Sequence, residues 1–518
     1  MINNVITANV VIDQFRFPDR IISLFKECTP KILVVTDNGL NFGSSGFGLE
    51  DFVDTLKTTT IHGMTPIVKT AHTGATAADY TNFQFTSSTL SNSKYDVLFL
   101  FGFESGPALP ASEVDVITTF MQAGGGVFAT GDHAQLGKGL CNDIPRVRSM
   151  RYWSSPDVPS SSGIDRLSTN RPGSNNIFEF DDQSDDQPQH IYPLYYPDAS
   201  GLPADSKPHY MLQHPTKQVI EVLPDHPHEG ECVIPTDLTT SLSATDDTDE
   251  WPEDSTGNRI SPELIALSMS YGGGFSAKQP LVPRSFGAIG AYDGQKADVG
   301  RVAVDATWHH FININLTGAG SARPGLQTNA DAIDRVHTYF RNIAEWLMPK
   351  KRRRCLRWPL LRFTLELYPL AEFIPEIGPK VPGDIEAVIN LGSSVEKTMQ
   401  QFLTPAALDE IKQDVISLHN TDFTDKLLCH DEDETFAKLT GRKMVPAEMI
   451  FQAALGSVCW TLSQLLPIGE DIEASFAKNG GIQGIEKQVT KNLKKSMGQV
   501  SEVLVKSLSE VEKIARLV

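Results

Sequence analysis

The chain has 518 residues, 40% of them hydrophobic, and a formal net charge of −19. This length is too great for one ordinary hydrophobic core and predicts two or three domains. A surplus of acidic groups repels polyanions, so we expect no nucleic-acid partner.

The first third of the chain alternates short apolar runs with amphipathic stretches. Lys31–Thr36 predicts a buried parallel strand, and the helical spacing of apolar residues over 49–56 predicts the helix after it. A second strand is predicted over residues 95–102, followed by a helix that begins at Pro110 and by a third strand that ends at Thr130. Strands and helices that alternate with short connections predict a right-handed parallel α/β sheet.

The pattern becomes irregular between residues 137 and 300, where Pro, Ser, Asp and Asn are frequent. We predict a long insertion that builds or covers a site. An acidic run over 246–254 is interpreted as a solvated loop, with calcium binding as the alternative. The sheet is predicted to resume in a strand over 300–307, followed by a helix that ends at Pro349, so residues 1–349 form one predicted domain.

The remaining residues predict a linker and a helical domain. Residues 350–380 are basic, then rich in Pro and aromatic residues, and are interpreted as a solvated linker; contact with phosphate or an acidic partner is the alternative. Residues 381–518 are helical in pattern, and the apolar spacing over 485–515 predicts a long amphipathic helix. Polar residues interrupt the apolar stretch at 449–466, which favours a buried helix over a membrane span.

The six cysteines are scattered and have no C-x-x-C spacing. This argues against a disulfide framework and against a cysteine zinc site, and it predicts a reducing, cytoplasmic location. Gly-x-Ser-x-Gly is absent from the sequence. Cys141 lies away from a strand-to-helix elbow and is interpreted as a packed thiol rather than a nucleophile.

Polar residues follow four predicted strands at the points where these strands end. They are Asp37 and Asn38, Glu104, Asp132 and His133, and His309 and His310. Because the carboxyl ends of parallel strands share one edge of a sheet, we expect a common crevice there. Alternation of side chains along a strand predicts that at most one of His309 and His310 faces it. Three further substrate contacts are predicted at Trp308, Arg146 and Arg148. Arg151 continues the spacing of the two arginines, and in an extended segment all three point one way, as a clamp for an anionic or polyhydroxylated ligand would require. Ion pairs with the surplus acidic groups are the alternative.

The predicted insertion also contains a segment rich in His and Glu, Asp-His-Pro-His-Glu-Gly-Glu over 225–231. Imidazoles beside carboxylates suit zinc or another divalent metal, and a carboxylate left off the metal suits a general base. We therefore predict Glu229 as a base. The predicted metal ligands are His133, His226, His228 and His309. The alternative is a polar loop that Pro227 makes rigid, and no nucleotide cofactor is indicated.

Several of these segments resemble the class I glutamine amidotransferase-like superfamily, and within it the ThuA-like (trehalose-utilisation-like) branch. The segments are the strand over 31–37, the strand over 95–102, Gly124-Gly125-Gly126 leading to Gly131-Asp132-His133, Asp225-His226-Pro227, and the strand from Gly300 to His309. The resemblance covers residues 30–348. It implies a flavodoxin-like sheet, a link to carbohydrate metabolism and a pocket that contains His133, His309 and His226. Amidotransferases of this superfamily have a nucleophilic Cys where this chain has Asp132 or His133, so glutaminase chemistry is not expected.

We therefore expect an enzyme that hydrolyses a small polar substrate, a carbohydrate being one option, by metal-assisted or acid–base chemistry. The predicted catalytic residues are Asp132, His133, Glu229 and His309. The alternative is a non-catalytic module that senses a ligand and is coupled to a helical protein-interaction domain. A third hypothesis makes the C-terminal helices the functional part, through a homo-oligomer or a partner protein.

Overall fold

The computed structural model describes residues 15–133, 135–154, 188–196, 206–224, 230–243, 246–270, 284–367, 370–377, 384–418, 447–468 and 471–515. The chain divides into two compact units. One is Thr29–Arg353, and the other combines Met1–Cys28 with Arg354–Val518. We call them the sheet unit and the helical unit.

All strands of the described residues belong to the sheet unit. In chain order they are β1 (Lys31–Thr36), β2 (Ile67–His72), β3 (Val97–Phe101), β4 (Gly126–Thr130), β5 (Pro188–His190), β6 (Tyr192–Pro193), β7 (Tyr195–Tyr196), β8 (Lys207–Pro208), β9 (Gln213–His214), β10 (Gln218–Val219), β11 (Val222–Pro224), β12 (Ser241–Ser243), β13 (Asp246–Asp249), β14 (Glu263–Ser270), β15 (Arg284–Tyr292) and β16 (Val302–Asp305).

Among the described residues, eight strands form one mixed sheet in the order β2-β1-β3-β4-β16-β15-β14-β6. The first five are mutually parallel, and β15, β14 and β6 continue the sheet antiparallel. Numbered along the chain, the parallel strands have the flavodoxin-like order 2-1-3-4-5. The expected α/β fold is therefore confirmed, with an antiparallel extension that the sequence analysis did not predict.

The helices are α1 (Asp19–Leu24), α2 (Glu50–Thr58), α3 (Ala111–Gln122), α4 (Lys138–Cys141), α5 (Asn313–Leu316), α6 (Ala330–Trp346), α7 (Lys350–Glu366), α8 (Leu370–Ile377), α9 (Ile385–Met399), α10 (Pro405–Ser417), α11 (Ala447–Leu465), α12 (Ile472–Lys478) and α13 (Gly481–Ala515). Phe52 on α2 packs edge-on against Phe99 and Phe101 of β3 and against Phe340 on α6. Aromatic side chains thus join these two helices to one face of the sheet.

The predicted insertion does more than cover a site. Strands β14 and β15 lie within it and extend the main sheet. Part of the acidic run, predicted to be a solvated loop, forms β13, which pairs with β12. Glu250 and Trp251, which follow β13, are fully buried. Packing against the sheet therefore overrides the local polarity of this segment.

The predicted linker is largely helical. Residues 350–366 form α7, which continues through Pro359, and 370–377 form α8. The basic side chains at the start of α7 find acidic partners within the sheet unit: Lys350 binds Asp298 at 2.9 Å and Arg352 binds Asp96 at 2.9 Å. The Arg352–Asp96 pair is largely buried, whereas the Lys350–Asp298 pair stays exposed to solvent, so the predicted solvation holds for only part of the basic cluster.

The helical unit contains a disulfide between Cys28 and Cys355, which are separated by 327 positions. The local spacing of the cysteines argues against a disulfide framework, but such spacing carries no information on a pair so far apart. Because disulfides persist in oxidising compartments, this bond removes the cysteine-based argument for a reducing location. Among the described helices, none combines the length and the apolarity needed to cross a membrane.

Candidate functional site

The Asp132–His133 pair follows β4 at the carboxyl edge of the parallel strands. The backbone N–H of Asp132 donates to the carbonyl oxygen of Leu136 at 3.0 Å and closes the loop. Asp132 is fully buried, whereas the His133 side chain is 31% exposed, and the distance from Nδ1 of His133 to Oδ2 of Asp132 is 2.6 Å. Because a carboxylate oxygen only accepts, this hydrogen bond puts the proton of a neutral His133 ring on Nδ1 and makes Nε2 its basic nitrogen.

The second histidine of the site comes from the loop after β16. Nε2 of His309 lies 3.7 Å from Oδ2 of Asp132, and Nδ1 lies 2.8 Å from Oδ1 of Asn315. Burial lowers the pKa of His309 to about 4, and the neighbouring Asp132 carboxylate opposes that shift. His309 is therefore neutral at physiological pH, so the site holds one buried carboxylate between two imidazoles.

Thr307 connects the two loops. Its hydroxyl donates to Oδ1 of Asp132 at 2.6 Å and accepts from the backbone N–H of His309 at 3.0 Å, as an N-cap residue does. The Asp132 carboxylate thus has hydrogen-bond partners on both oxygens, which is what holds a buried charged group in one orientation.

His310 contacts a different carboxylate from His309. Its Nδ1 lies 2.8 Å from Oδ1 of Asp305, and the hydroxyl of Tyr339 donates to Oδ2 of the same carboxylate at 2.8 Å. All three side chains are buried. Of the two histidines, His309 is the one beside Asp132. The prediction assumed that the strand continues to His310, but the strand ends at Asp305. A 3-10 turn over Trp308–His310 therefore determines where the side chains of His309 and His310 point.

Asp37 follows β1, next to the loop after β3. Its carboxylate accepts from the backbone N–H of Phe103 at 2.6 Å and from that of Glu104 at 3.1 Å. Burial raises the pKa of Asp37 to about 7, although both amide hydrogen bonds act in the opposite direction. The predicted neighbours Asn38 and Glu104 are exposed and half-buried respectively.

An aromatic group joins these loops. The ring of Trp308 stacks on His309 with centroids 4.3 Å apart and on Phe103 at 5.5 Å. Phe47, from the loop after β1, meets Trp308 at 5.7 Å and His309 at 6.3 Å. Trp308 is buried, but Phe47 is 41% exposed. The group therefore offers an apolar surface beside the histidines.

The two predicted arginine contacts have other partners. Arg148 binds the buried Glu250, with Nη2 2.6 Å from Oε2. Arg146 is buried, and its Nε donates to the backbone carbonyl of Glu250 at 2.8 Å. Arg151, the third arginine of this segment, donates to the carbonyl oxygen of Asp132 at 2.6 Å. Of the three arginines, Arg151 is therefore the one that contacts Asp132 directly.

His226, His228 and Glu229 lie outside the described residues. Both described ends of their segment adjoin the site. β11, on one side, contacts the 3-10 turn over Trp308–His310, and the N–H of Gly230, on the other, donates to the carbonyl oxygen of Ala306 at 3.2 Å. Within the described part of the chain, no group of three or more His, Cys, Asp or Glu side chains could hold a metal ion. The metal ligand set stays a prediction.

Several residues of the site were missed by the sequence analysis: Phe47, Phe103, Thr307 and Asn315. A signal existed for Thr307, because Thr directly before a turn is a preferred N-cap residue. The others reach the site only through tertiary contacts between loops that are far apart in sequence. Cys141 is buried and burial raises its pKa, as expected for a packed thiol.

Comparisons with known proteins do not add a family to this geometry. No model of a protein family matches the sequence, and no curated protein matches it.

Proposed function

We propose that the protein is a hydrolase-like enzyme that acts on a small polar substrate by general acid–base catalysis. The observation that carries the proposal is the Asp132–His133 pair, in which a fully buried carboxylate orients a partly exposed imidazole at 2.6 Å. A histidine that acts as a general base must be held in one tautomer, with its unprotonated nitrogen facing the substrate. A buried carboxylate fixes this tautomer by accepting the proton of the other ring nitrogen in a hydrogen bond.

In this proposal His133 removes a proton from water or from a substrate hydroxyl. Asp132 orients the ring and stabilises the imidazolium that forms. His309, whose pKa is about 4 because of burial, is neutral and acts as a hydrogen-bonding group rather than as a cation. The resemblance to ThuA-like proteins belongs to the same proposal and makes carbohydrates the first substrates to test.

The predicted zinc site is a separate part of the proposal. Two of its four ligands, His133 and His309, adjoin Asp132, and the other two lie outside the described residues. Elemental analysis of the purified full chain tests the ligand set: a stoichiometric metal in the wild type that is lost in His226→Ala supports it, and retention of that metal contradicts it.

Turnover of chromogenic glycosides and esters tests the acid–base proposal. We expect His133→Ala to reduce kcat/KM by about 10²- to 10⁴-fold, the usual contribution of a general base. Asp132→Asn should cause a loss of similar size, because an amide no longer fixes the tautomer of His133. His337→Ala is the matched control, since His337 forms a similar pair with Asp51 at 2.8 Å on the helices α6 and α2.

The second candidate is a module that binds a ligand without chemistry. The exposed ring of Phe47 beside His309 favours it, because an apolar surface next to polar groups is a common form of ligand site. Absence of turnover across the substrate panel, together with ligand binding that Phe47→Ala weakens, would replace the enzyme proposal with this one.

A further inference from the structure

A buried arginine binds the backbone on which the acid–base pair is built. Arg151 is 1% exposed. Its Nη2 donates to the carbonyl oxygen of Asp132 at 2.6 Å and to that of Ala306 at 2.9 Å. Asp132 follows β4 and Ala306 follows β16, so one guanidinium nitrogen joins the ends of two adjacent strands. These are the two loops that carry His133 and His309.

The surroundings of Arg151 are shaped to this side chain. Nη1 donates to the carbonyl oxygen of Tyr152 at 3.1 Å, and the guanidinium lies over the ring of Trp153, 4.5 Å from its centroid. Residue 230 is a glycine at the closest approach: a Cβ atom there would lie 2.1 Å from Nη2. No larger residue at position 230 leaves the guanidinium in place.

A buried guanidinium is costly, so its retention requires a compensating interaction. Burial lowers the pKa of Arg151, and the carboxylates of Asp132 and Asp305 are among the groups that oppose this shift. Neutral carbonyl groups alone compensate a buried charge poorly. The nearby carboxylates of Asp132 and Asp305 supply negative charge that the carbonyl groups lack.

We propose that Arg151 is the positioning residue of the Asp132–His133 pair. By holding the carbonyls of Asp132 and Ala306 together, it keeps Oδ2 of Asp132 on Nδ1 of His133 and Oδ1 on the hydroxyl of Thr307. A planar guanidinium donates in two directions from fixed positions, which the single ammonium group of lysine does not reproduce. The catalytic meaning of this role rests on the proposed function, but the test below does not need a substrate.

The ring nitrogens of His133 report on this role. In the full chain labelled with ¹⁵N-histidine, with the signals of His133 assigned from His133→Gln, we expect a protonated Nδ1 and an unprotonated Nε2. In Arg151→Met both nitrogen signals should move towards each other, as the ring exchanges between tautomers. In Arg151→Lys the two nitrogen signals should move less, because lysine keeps the positive charge but lacks the planar guanidinium with its fixed donor positions.

Arg301→Met is the matched control. Arg301 is also buried, binds the carbonyl oxygen of Trp346 at 2.8 Å and stacks on its ring at 4.8 Å, but it lies before β16, at the opposite edge of the sheet. Its loss should lower stability and leave the signals of His133 unchanged. A merely structural role for Arg151 predicts the same result in Arg151→Met.

Unchanged His133 signals in a folded Arg151→Met variant would overturn the proposal, as would a wild type without a fixed tautomer. If Arg151→Met does not fold, Arg151→Lys decides: moved signals support the proposal and wild-type signals overturn it. Failure of the proposed function is recognised separately, by the absence of turnover in a wild type whose His133 tautomer is fixed.

Discussion

Asp37 lies at the reversal point of the parallel strand order, between β1 and β3. Ligands of flavodoxin-like folds bind at this point, outside the carboxyl ends of the strands. Here the carboxylate of Asp37 takes up the backbone N–H groups of Phe103 and Glu104, and its pKa is about 7 because of burial. A titratable acid in the neutral range thus adjoins the loops of the candidate site.

The raised pKa of Asp37 predicts a pH-dependent stability. Unfolded Asp37 loses its proton near 3.8, whereas folded Asp37 keeps it to about 7. Between these values the folded state binds the additional proton, so the contribution of Asp37 to the free energy of unfolding falls as pH rises and is constant above 7. The fall is about 1.4 kcal/mol for each pH unit crossed.

Thermal unfolding of wild type and Asp37→Asn between pH 4.5 and pH 8 measures this effect. We expect the Tm of Asp37→Asn to rise relative to that of the wild type up to pH 7 and then to stay level, whatever the cost of the altered hydrogen bonds. Other titrating groups are common to both proteins and cancel in the difference. A Tm difference that is independent of pH would refute the raised pKa.

At the level of secondary structure elements, α9 and α11 of the helical unit pack with their backbones in close approach. A Cβ atom on Gly456 would lie 1.9 Å from the carbonyl oxygen of Val388, and one on Gly392 would lie 1.8 Å from that of Gln452. Two glycines thus let the helix backbones touch. Glycine costs about 1 kcal/mol in a helix relative to alanine, so close approach is the physical reason for it here.

Gly456→Ala should therefore destabilise the helical unit. The added methyl group would collide with the backbone of α9 and force the two helices apart. Such overpacking typically costs about 1–3 kcal/mol. Gly498→Ala in α13 is the control: nothing lies within 4 Å of its Cβ position, so the better helix former should stabilise the chain by up to about 1 kcal/mol. Urea unfolding compares the two. Equal stability of Gly456→Ala and wild type would contradict the packing argument.

The elements that were predicted correctly show their burial in their own residues. The elements that were missed depend on contacts with residues that are distant in sequence. Apolar runs predicted β1 and β4, because both faces of these strands are buried. β2 was missed because it is an edge strand in which Ile67 is 49% exposed and Lys69 half-buried, which breaks the apolar run. Helix α7 was predicted to be a linker because its basic residues look solvated, and their acidic partners are more than 50 positions away.

For the molecule as a whole, the predictable part of the site was the set of strand ends. The topology of a parallel sheet brings Asp132 and His309 to one edge, and this follows from pattern alone. The partners within that edge do not follow from it. The sequence does not distinguish between the three arginines at 146, 148 and 151. Only the fold shows that Arg146 and Arg148 bind Glu250, whereas Arg151 binds Asp132.

The disulfide closes a loop whose effective length depends on the sheet unit. Cys28 and Cys355 are 327 positions apart, but the sheet unit holds its own ends together: the N–H of Lys31 and Nε of Arg352 bind the same oxygen of Asp96, at 2.8 and 2.9 Å. While the sheet unit is folded, the chain between the two cysteines is therefore equivalent to a short loop. Loop-closure entropy then limits the stabilisation by the disulfide to about 3 kcal/mol or less, whereas loops of 100 residues or more give about 5 kcal/mol.

Reduction of the full chain distinguishes these cases. We expect dithiothreitol to lower the free energy of unfolding of the helical unit by about 3 kcal/mol or less. The double variant with Cys28→Ser and Cys355→Ser should start at that lower value and not respond to dithiothreitol, which separates the disulfide from the other cysteines. A loss of about 5 kcal/mol would mean that both units unfold together, because only then does the whole intervening chain form the loop. No loss at all would show that the bond does not constrain the unfolded chain.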